Sequence, residues 1–203
     1  LLANTGGVEI TLGKEMIRTP VDDAIGYIKK TVIGDVMNIK KVRVDKEGTG
    51  MGWGAVYAQY LESMDQIGEQ GNGLSVSRQL YKGDEALNES APLKVGDKIT
   101  VRLTVKADRD MDFVQIKDDR AACMEPLQAV SGFRWGNGLG YYQATKDAST
   151  QFFIDQMRKG TYVIEYQVYV NRTGEYQTGI ATVQSAYAPE FGGHTGGYRV
   201  MVE

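Results

Sequence analysis

Cys123 and His194 are the sole cysteine and the sole histidine of the 203-residue chain. A thiol nucleophile activated by an imidazole base therefore has one pair to draw on. Ala121, Ala122 and Met124 surround the cysteine with apolar groups, which suits an inert buried thiol better than an activated one. His194 lies in Gly192-Gly193-His194-Thr195-Gly196-Gly197, where glycine predicts an exposed loop. Asp108-Arg109-Asp110-Met111-Asp112 offers carboxylates at alternate positions, as the start of a calcium loop does. Phe113 then stands where such a loop needs glycine, and Asp119 where it needs glutamate, so a solvated hairpin turn is expected instead. Asp118, Asp119, Glu165 and Glu190 are dispersed without a sign of pairing, and a two-carboxylate glycosidase cannot be built on them. The expectation is a non-enzyme with no catalytic residues, metal site or cofactor.

Two glycine-rich stretches invite a binding reading. Gly50-Met51-Gly52-Trp53-Gly54 opens an aromatic run rather than a helix, which removes the helix N-terminus that would hold phosphate. Gly132-Phe133-Arg134-Trp135-Gly136-Asn137-Gly138-Leu139-Gly140 predicts a tight Asn-Gly turn anchored by two rings, with Arg134 between them. Arg134, Trp135, Tyr141 and Tyr142 are accordingly the candidate contact residues for a neighbouring domain or partner. Trp135, Tyr141 and Tyr142 would also suit stacking on sugars, so a carbohydrate-binding or adhesion module is the alternative reading. Asn88-Glu89-Ser90 and Asn171-Arg172-Thr173 match the glycosylation sequon, but turn formation explains both asparagines.

The chain that must position these groups has ordinary globular composition, 42% hydrophobic and 24% charged, enough to bury a core. Its 23 basic and 26 acidic residues are intermixed, so no positive field attracts nucleic acid. No apolar run approaches the roughly 20 residues that span a bilayer. A single cysteine excludes an internal disulfide framework.

Short Val-, Ile-, Tyr- and Thr-rich runs between Gly, Asp and Asn clusters predict an all-β chain. Val8–Leu12, Ile25–Val32, Val36–Val44 and Trp53–Leu61 are the expected strands of a first part, residues 1–72. Composition shifts to Gly, Glu, Gln and Asn between Asp65 and Gly73, which marks the boundary. Leu74–Leu80, Ile99–Val105, Phe113–Ile116, Tyr141–Thr145, Gln151–Ile154, Tyr162–Val170, Ile180–Tyr187 and Tyr198–Val202 follow as strands of a second part, residues 73–203. Their spacing is that of a β-sandwich.

Uncommon blocks recur in order through this second part: Ile116-Lys117-Asp118-Asp119-Arg120-Ala121-Ala122-Cys123-Met124-Glu125-Pro126, Ser131-Gly132-Phe133-Arg134-Trp135, Gly138-Leu139-Gly140-Tyr141-Tyr142, Phe152-Phe153, Lys159-Gly160-Thr161-Tyr162, Glu165-Tyr166 and Tyr187-Ala188-Pro189-Glu190-Phe191. Together they resemble the C-terminal macroglobulin-like domain of bacterial α2-macroglobulins over about Leu74–Glu203. Gly26-Tyr27-Ile28-Lys29-Lys30 and Trp53-Gly54-Ala55-Val56-Tyr57 resemble the CUB-region segment that follows the thioester domain in that family. The resemblance implies two β-sandwich-like units, the first an incomplete one in so far as its sheet draws on segments from both sides of the thioester domain. It further implies a non-catalytic C-terminal part of a broad-spectrum endopeptidase inhibitor of the bacterial periplasm or cell envelope, which traps a protease after bait cleavage. The implied partners are the thioester domain, the other macroglobulin domains and, in the full-length protein, trapped proteases, with no nucleic acid and no membrane insertion. Cys123-Met124-Glu125-Pro126 departs from the family's Cys-x-Glu-Gln thioester motif: proline has no side-chain carbonyl to which the sulfur could be joined, so Cys123 carries no thioester.

Overall fold

The computed structural model describes residues 7–18, 29–34, 39–88 and 91–203. The chain divides into two compact units, Leu1–Gln59 and Tyr60–Glu203.

In the first unit, β1 (Val8–Leu12) and β2 (Glu15–Arg18) form a hairpin, and β3 (Val42–Lys46) pairs with the other side of β1. Both pairings are antiparallel, and Ile10 stands opposite Ile17 and Val44. The turn places Gly13 at φ +59°, which glycine adopts without cost. None of the described residues of this unit is buried.

Three expectations for this unit change. The third strand is displaced from Val36–Val44 to Val42–Lys46, because its register on β1 sets Val42 against Leu12 and Lys46 against Val8; residues 36–38 lie outside the described residues. Of the strand expected over Ile25–Val32, residues 25–28 lie outside the described residues and Lys29–Val32 is not extended into a ladder. Trp53–Leu61 forms no strand either, and its Trp53, Tyr57 and Leu61 side chains are fully exposed. Alternation supplies a face but no ladder partner and no core, and strand preference acts only through such neighbours.

The second unit is a single-core sandwich. Its strands, after a 3-10 turn at Met64–Gln66, are β4 (Gln70–Asn72), β5 (Leu74–Lys82), β6 (Glu85–Ala86), β7 (Lys98–Ala107), β8 (Met111–Asp119), β9 (Met124–Pro126), β10 (Gly132–Gly136), β11 (Leu139–Thr145), β12 (Ser149–Met157), β13 (Gly160–Val170), β14 (Gly174–Gln177), β15 (Ala181–Ser185), β16 (Gly192–His194) and β17 (Arg199–Val202). The hydrogen-bonded path runs β10-β11-β12-β8-β15-β16-β4-β5-β7-β13-β9, with β6 beside β5 and a separate β14–β17 ladder. The path doubles over at β16–β4, so that β10-β11-β12-β8-β15 and β5-β7-β13-β9 bury their inner faces in one core.

Period-two alternation builds that core. β7 turns Ile99, Val101, Leu103 and Val105 inward, all 2% exposed or less. β5 contributes Leu74, Val76 and Leu80, β13 contributes Ile164, Val168 and Val170, and Val114, Ile116, Phe152, Ile154 and Val183 answer from the opposite half. The fold-over needs bare backbone, since a Cβ on Gly193 would lie 2.7 Å from the carbonyl oxygens of Gln70 and Leu74.

The chain between Ala107 and Met111 is not a hairpin turn. β7 pairs with β5 and β13, whereas β8 pairs with β12 and β15, so Asp108-Arg109-Asp110 carries the chain from one half of the sandwich to the other. Its acids are engaged locally: Arg109 donates to Asp108 at 2.8 Å, and the Lys159 amide donates to Asp110 at 2.7 Å.

Candidate functional sites: an aromatic face and a buried arginine cluster

The four candidate contact residues lie on β10 and β11, where Arg134 stands opposite Tyr141 and Phe133 opposite Tyr142. Alternation therefore divides them between two faces. Tyr142 joins the outer face in a cross-strand row Phe133–Tyr142–Phe153, and the Phe133 and Tyr142 rings meet edge-on with centroids 5.2 Å apart. Trp135 lies two residues beyond Phe133, over Gly140, where a Cβ would come within 2.8 Å of the indole. Covering a strand glycine with a ring is a sheet-stabilising arrangement in its own right.

Tyr141 points the other way, edge-on to the buried Phe152 ring at 5.6 Å. Burial raises its phenol pKa, with Arg134 pulling it back down. Arg134 is half-buried and spends its guanidinium locally, donating to the Phe133 carbonyl at 3.1 Å and the Val130 carbonyl at 3.3 Å.

A second constellation was missed by sequence reasoning. Arg78 on β5 reaches across the sandwich to Asp118 on β8 at 2.6 Å, and its side chain is 4% exposed against 1% for the carboxylate. The same guanidinium donates to Thr178 Oγ1 at 2.9 Å and to the Gly179 carbonyl at 2.6 Å, and it lies 5.4 Å from the centre of the Tyr198 ring. Tyr166 on β13 donates its hydroxyl to the second Asp118 oxygen at 2.7 Å. Arg120 borders the cluster while gripping the Thr150 hydroxyl at 2.7 Å and the Asp147 carbonyl at 2.8 Å. Among the described residues the buried Nε–H groups of Arg78 and Arg120 have no acceptor, and both residues line a cavity of about 10 Å³, room for one water.

Burial raises the Asp118 carboxyl above its ordinary value, opposed by Arg78 and the Tyr166 hydroxyl. For Arg78, burial works against the charge, but Asp118 and the neighbouring phenols outweigh it and the pKa is raised. Such a pair holds two halves of a sandwich in register and carries no substrate-facing group. Burial, reinforced by the Asp118 charge, raises the Tyr166 phenol well above its ordinary value of 10.0. The native state therefore keeps a proton that the unfolded chain gives up near pH 10, so this contribution is intact below that pH and is lost as pH rises further. Urea midpoints measured from pH 8 to 11 should fall above about pH 10, and Tyr166→Phe should flatten that slope.

Cys123 is fully buried, its thiol pKa raised by burial, in the turn that leads to β9. Pro126 closes β9 opposite Val168. His194 lies in β16 rather than in a loop, half-buried, with Nδ1 3.1 Å from the Thr195 carbonyl. β4, β5, β7 and β13 separate β16 from β9 along the sheet, so the structure does not bring thiol and imidazole together. Among the described residues no group of three or more His, Cys, Asp or Glu side chains is placed to share a metal ion.

Comparison with known proteins places this architecture. The family model of the bacterial alpha-2-macroglobulin MG10 domain matches residues 73–190. A curated relative, Circularly permutated Ras protein 2 of Dictyostelium discoideum, is 28% identical over 166 residues, which cover 78% of this chain and 4% of that protein. Escherichia coli alpha-2-macroglobulin activated by porcine elastase matches all of this chain and 19% of its own, with a TM-score of 0.59 at 14% identity. Salmonella alpha-2-macroglobulin reacted with methylamine matches 98% of this chain and 13% of its own, with a TM-score of 0.55 at 17% identity. The native E. coli protein from domain MG7 to the C-terminus matches 98% of this chain and 33% of its own, with a TM-score of 0.56 at 13% identity. At these identities the likeness to the solved structures is one of fold, and the chain spans a third or less of each. Because the family model covers more than half of the sequence, the chain belongs to the bacterial alpha-2-macroglobulin MG10 domain family.

Proposed function

We propose that this chain is a non-catalytic C-terminal scaffold segment of a bacterial alpha-2-macroglobulin-type endopeptidase inhibitor, working in the periplasm or cell envelope. The observation that carries this reading is the family match over residues 73–190. The placement of its chemistry supports it: Cys123 is sealed in the core just before β9, with four strands between β9 and the β16 strand of His194 along the sheet, and the buried Arg78–Asp118 pair ties strands together. In this role the chain holds the neighbouring domains of a longer polypeptide, the thioester domain among them. Trp135 and Tyr142 offer them an apolar outer face, while Arg134 and Tyr141 stiffen the strands behind it.

The test compares the full-length protein, a variant lacking residues 60–203, and the chain alone, each mixed with trypsin or elastase and a large protein substrate. The full-length protein should protect the substrate, the deletion should lose that protection, and the chain alone should leave proteolysis unchanged. Inhibition by the chain alone, or full protection by the deletion, would overturn the scaffold role.

A further inference from the structure

A guanidinium carries its N–H donors in a rigid fork, two on each Nη and one on Nε. In Arg78 both Nη groups are fully engaged. Nη1 donates to Asp118 Oδ1 at 2.6 Å and to the Asp119 carbonyl at 3.3 Å, and Nη2 donates to Thr178 Oγ1 at 2.9 Å and to the Gly179 carbonyl at 2.6 Å. The Nε–H is buried and has no acceptor among the described residues, on a side chain only 4% exposed. Arg120 repeats the arrangement. Its Nη groups hold the Thr150 hydroxyl and the Lys146 and Asp147 carbonyls, and its backbone amide donates to the Ala148 carbonyl at 2.9 Å. Its Nε–H is likewise buried without an acceptor among the described residues.

Both arginines line the same cavity of about 10 Å³, together with Asp118, Tyr198 and an apolar wall that includes Leu80 and Ala121. A buried N–H that has lost its hydration is costly unless something accepts from it. A space of this size holds one water where two to four polar groups meet.

We propose that this cavity binds a single ordered water molecule, which accepts from the Nε–H groups of Arg78 and Arg120 and joins the Arg78–Asp118 pair to the turn between β11 and β12. Charge and size select water over an anion. The Asp118 carboxylate on the same wall repels a halide, and a halide is larger than a water. A water, by contrast, offers its own hydrogens to the carboxylate and to the Tyr198 phenol.

The consequence is a second tie across the sandwich. Arg78 stands on β5 in one half, while Arg120 follows β8 and grips the β11-β12 turn in the other. The two cations hold different acceptors and repel one another, and a shared water makes one network of them.

A high-resolution crystal structure of the chain should show one isolated density peak within roughly 2.7–3.2 Å of both Nε atoms. An empty cavity would overturn the proposal. So would an anomalous signal at that point in crystals grown with bromide, which would identify an anion. Ala121 supplies a second measurement, because it is 2% exposed and lines the cavity. Valine and threonine have nearly the same shape, but only threonine brings a hydroxyl that can accept in place of the water. In urea titrations the unfolding constant of Ala121→Val should exceed that of Ala121→Thr by about tenfold, the effect of stranding buried donors. With Arg120→Met added to each, one of the two donors is gone and that ratio should shrink. A valine variant as stable as the threonine one would mean that the cavity is dry. An unchanged ratio in the Arg120→Met background would mean that Arg120 does not reach the ligand, and either result overturns the shared water.

Discussion

Arg78→Ala should lower the unfolding free energy of the second unit by about 3–5 kcal/mol in urea titrations, the cost of stranding one member of a buried ion pair. Without the guanidinium, Asp118 keeps, among the described residues, only the Tyr166 hydroxyl as a side-chain donor, while Thr178 Oγ1 and the Gly179 carbonyl lose a charged partner. A domain of this size has about 5–15 kcal/mol in total, so the variant sits close to unfolding. Removing both charges, as Arg78→Met with Asp118→Val, leaves no stranded ion and should be more stable than Arg78→Ala alone. Additive losses in that pair would show that the two side chains act independently. The surface pair Arg102–Glu165 is the control, since both its partners remain in water and its loss should be small.

The cluster was legible in principle. Arg78 occupies an inward position of the alternation Leu74, Val76, Arg78, Leu80, and Asp118 follows Val114 and Ile116 in the same way, as Tyr166 follows Ile164. A charge standing in phase with core residues is a signal of buried pairing, because an unpaired charge could not be kept there. That the partners lie on opposite halves of a sandwich depends on topology, which alternation does not encode. The same limit explains the Asp108–Asp110 connection: turn composition is common to hairpins and to crossings between sheets. A strand with one buried face, such as β7, followed from period two alone. Trp53–Leu61 had the same pattern without a partner strand, and pattern alone could not distinguish the two.

The four candidate contact residues show a related effect of pleating. Consecutive residues of a strand face opposite ways, so Tyr141-Tyr142 and Arg134-Trp135 each split between core side and solvent side. Phe133 and Phe153, which complete the outer row, stand at matching parity on β10 and β12, and only the register makes them neighbours of Tyr142.

Phe152→Ala should cost about 3–5 kcal/mol, comparable to Arg78→Ala but by a different route. Phe152 is fully buried on β12, with Tyr141 edge-on at 5.6 Å and Tyr166 tilted at 5.8 Å, so its ring links the back of the contact strands to the ion-pair cluster. Truncation leaves a cavity that these neighbours fill only in part. Phe152→Leu retains most of the volume and should cost much less than the alanine variant. The near-ultraviolet circular dichroism should weaken in Phe152→Ala as Tyr141 and Tyr166 lose their fixed neighbour. Because Tyr166 is also a donor to Asp118, Phe152→Ala and Arg78→Ala should not add. Strict additivity would mean that the aromatic contact and the ion pair are separate supports, and that Tyr166 is held by its hydrogen bond rather than by packing.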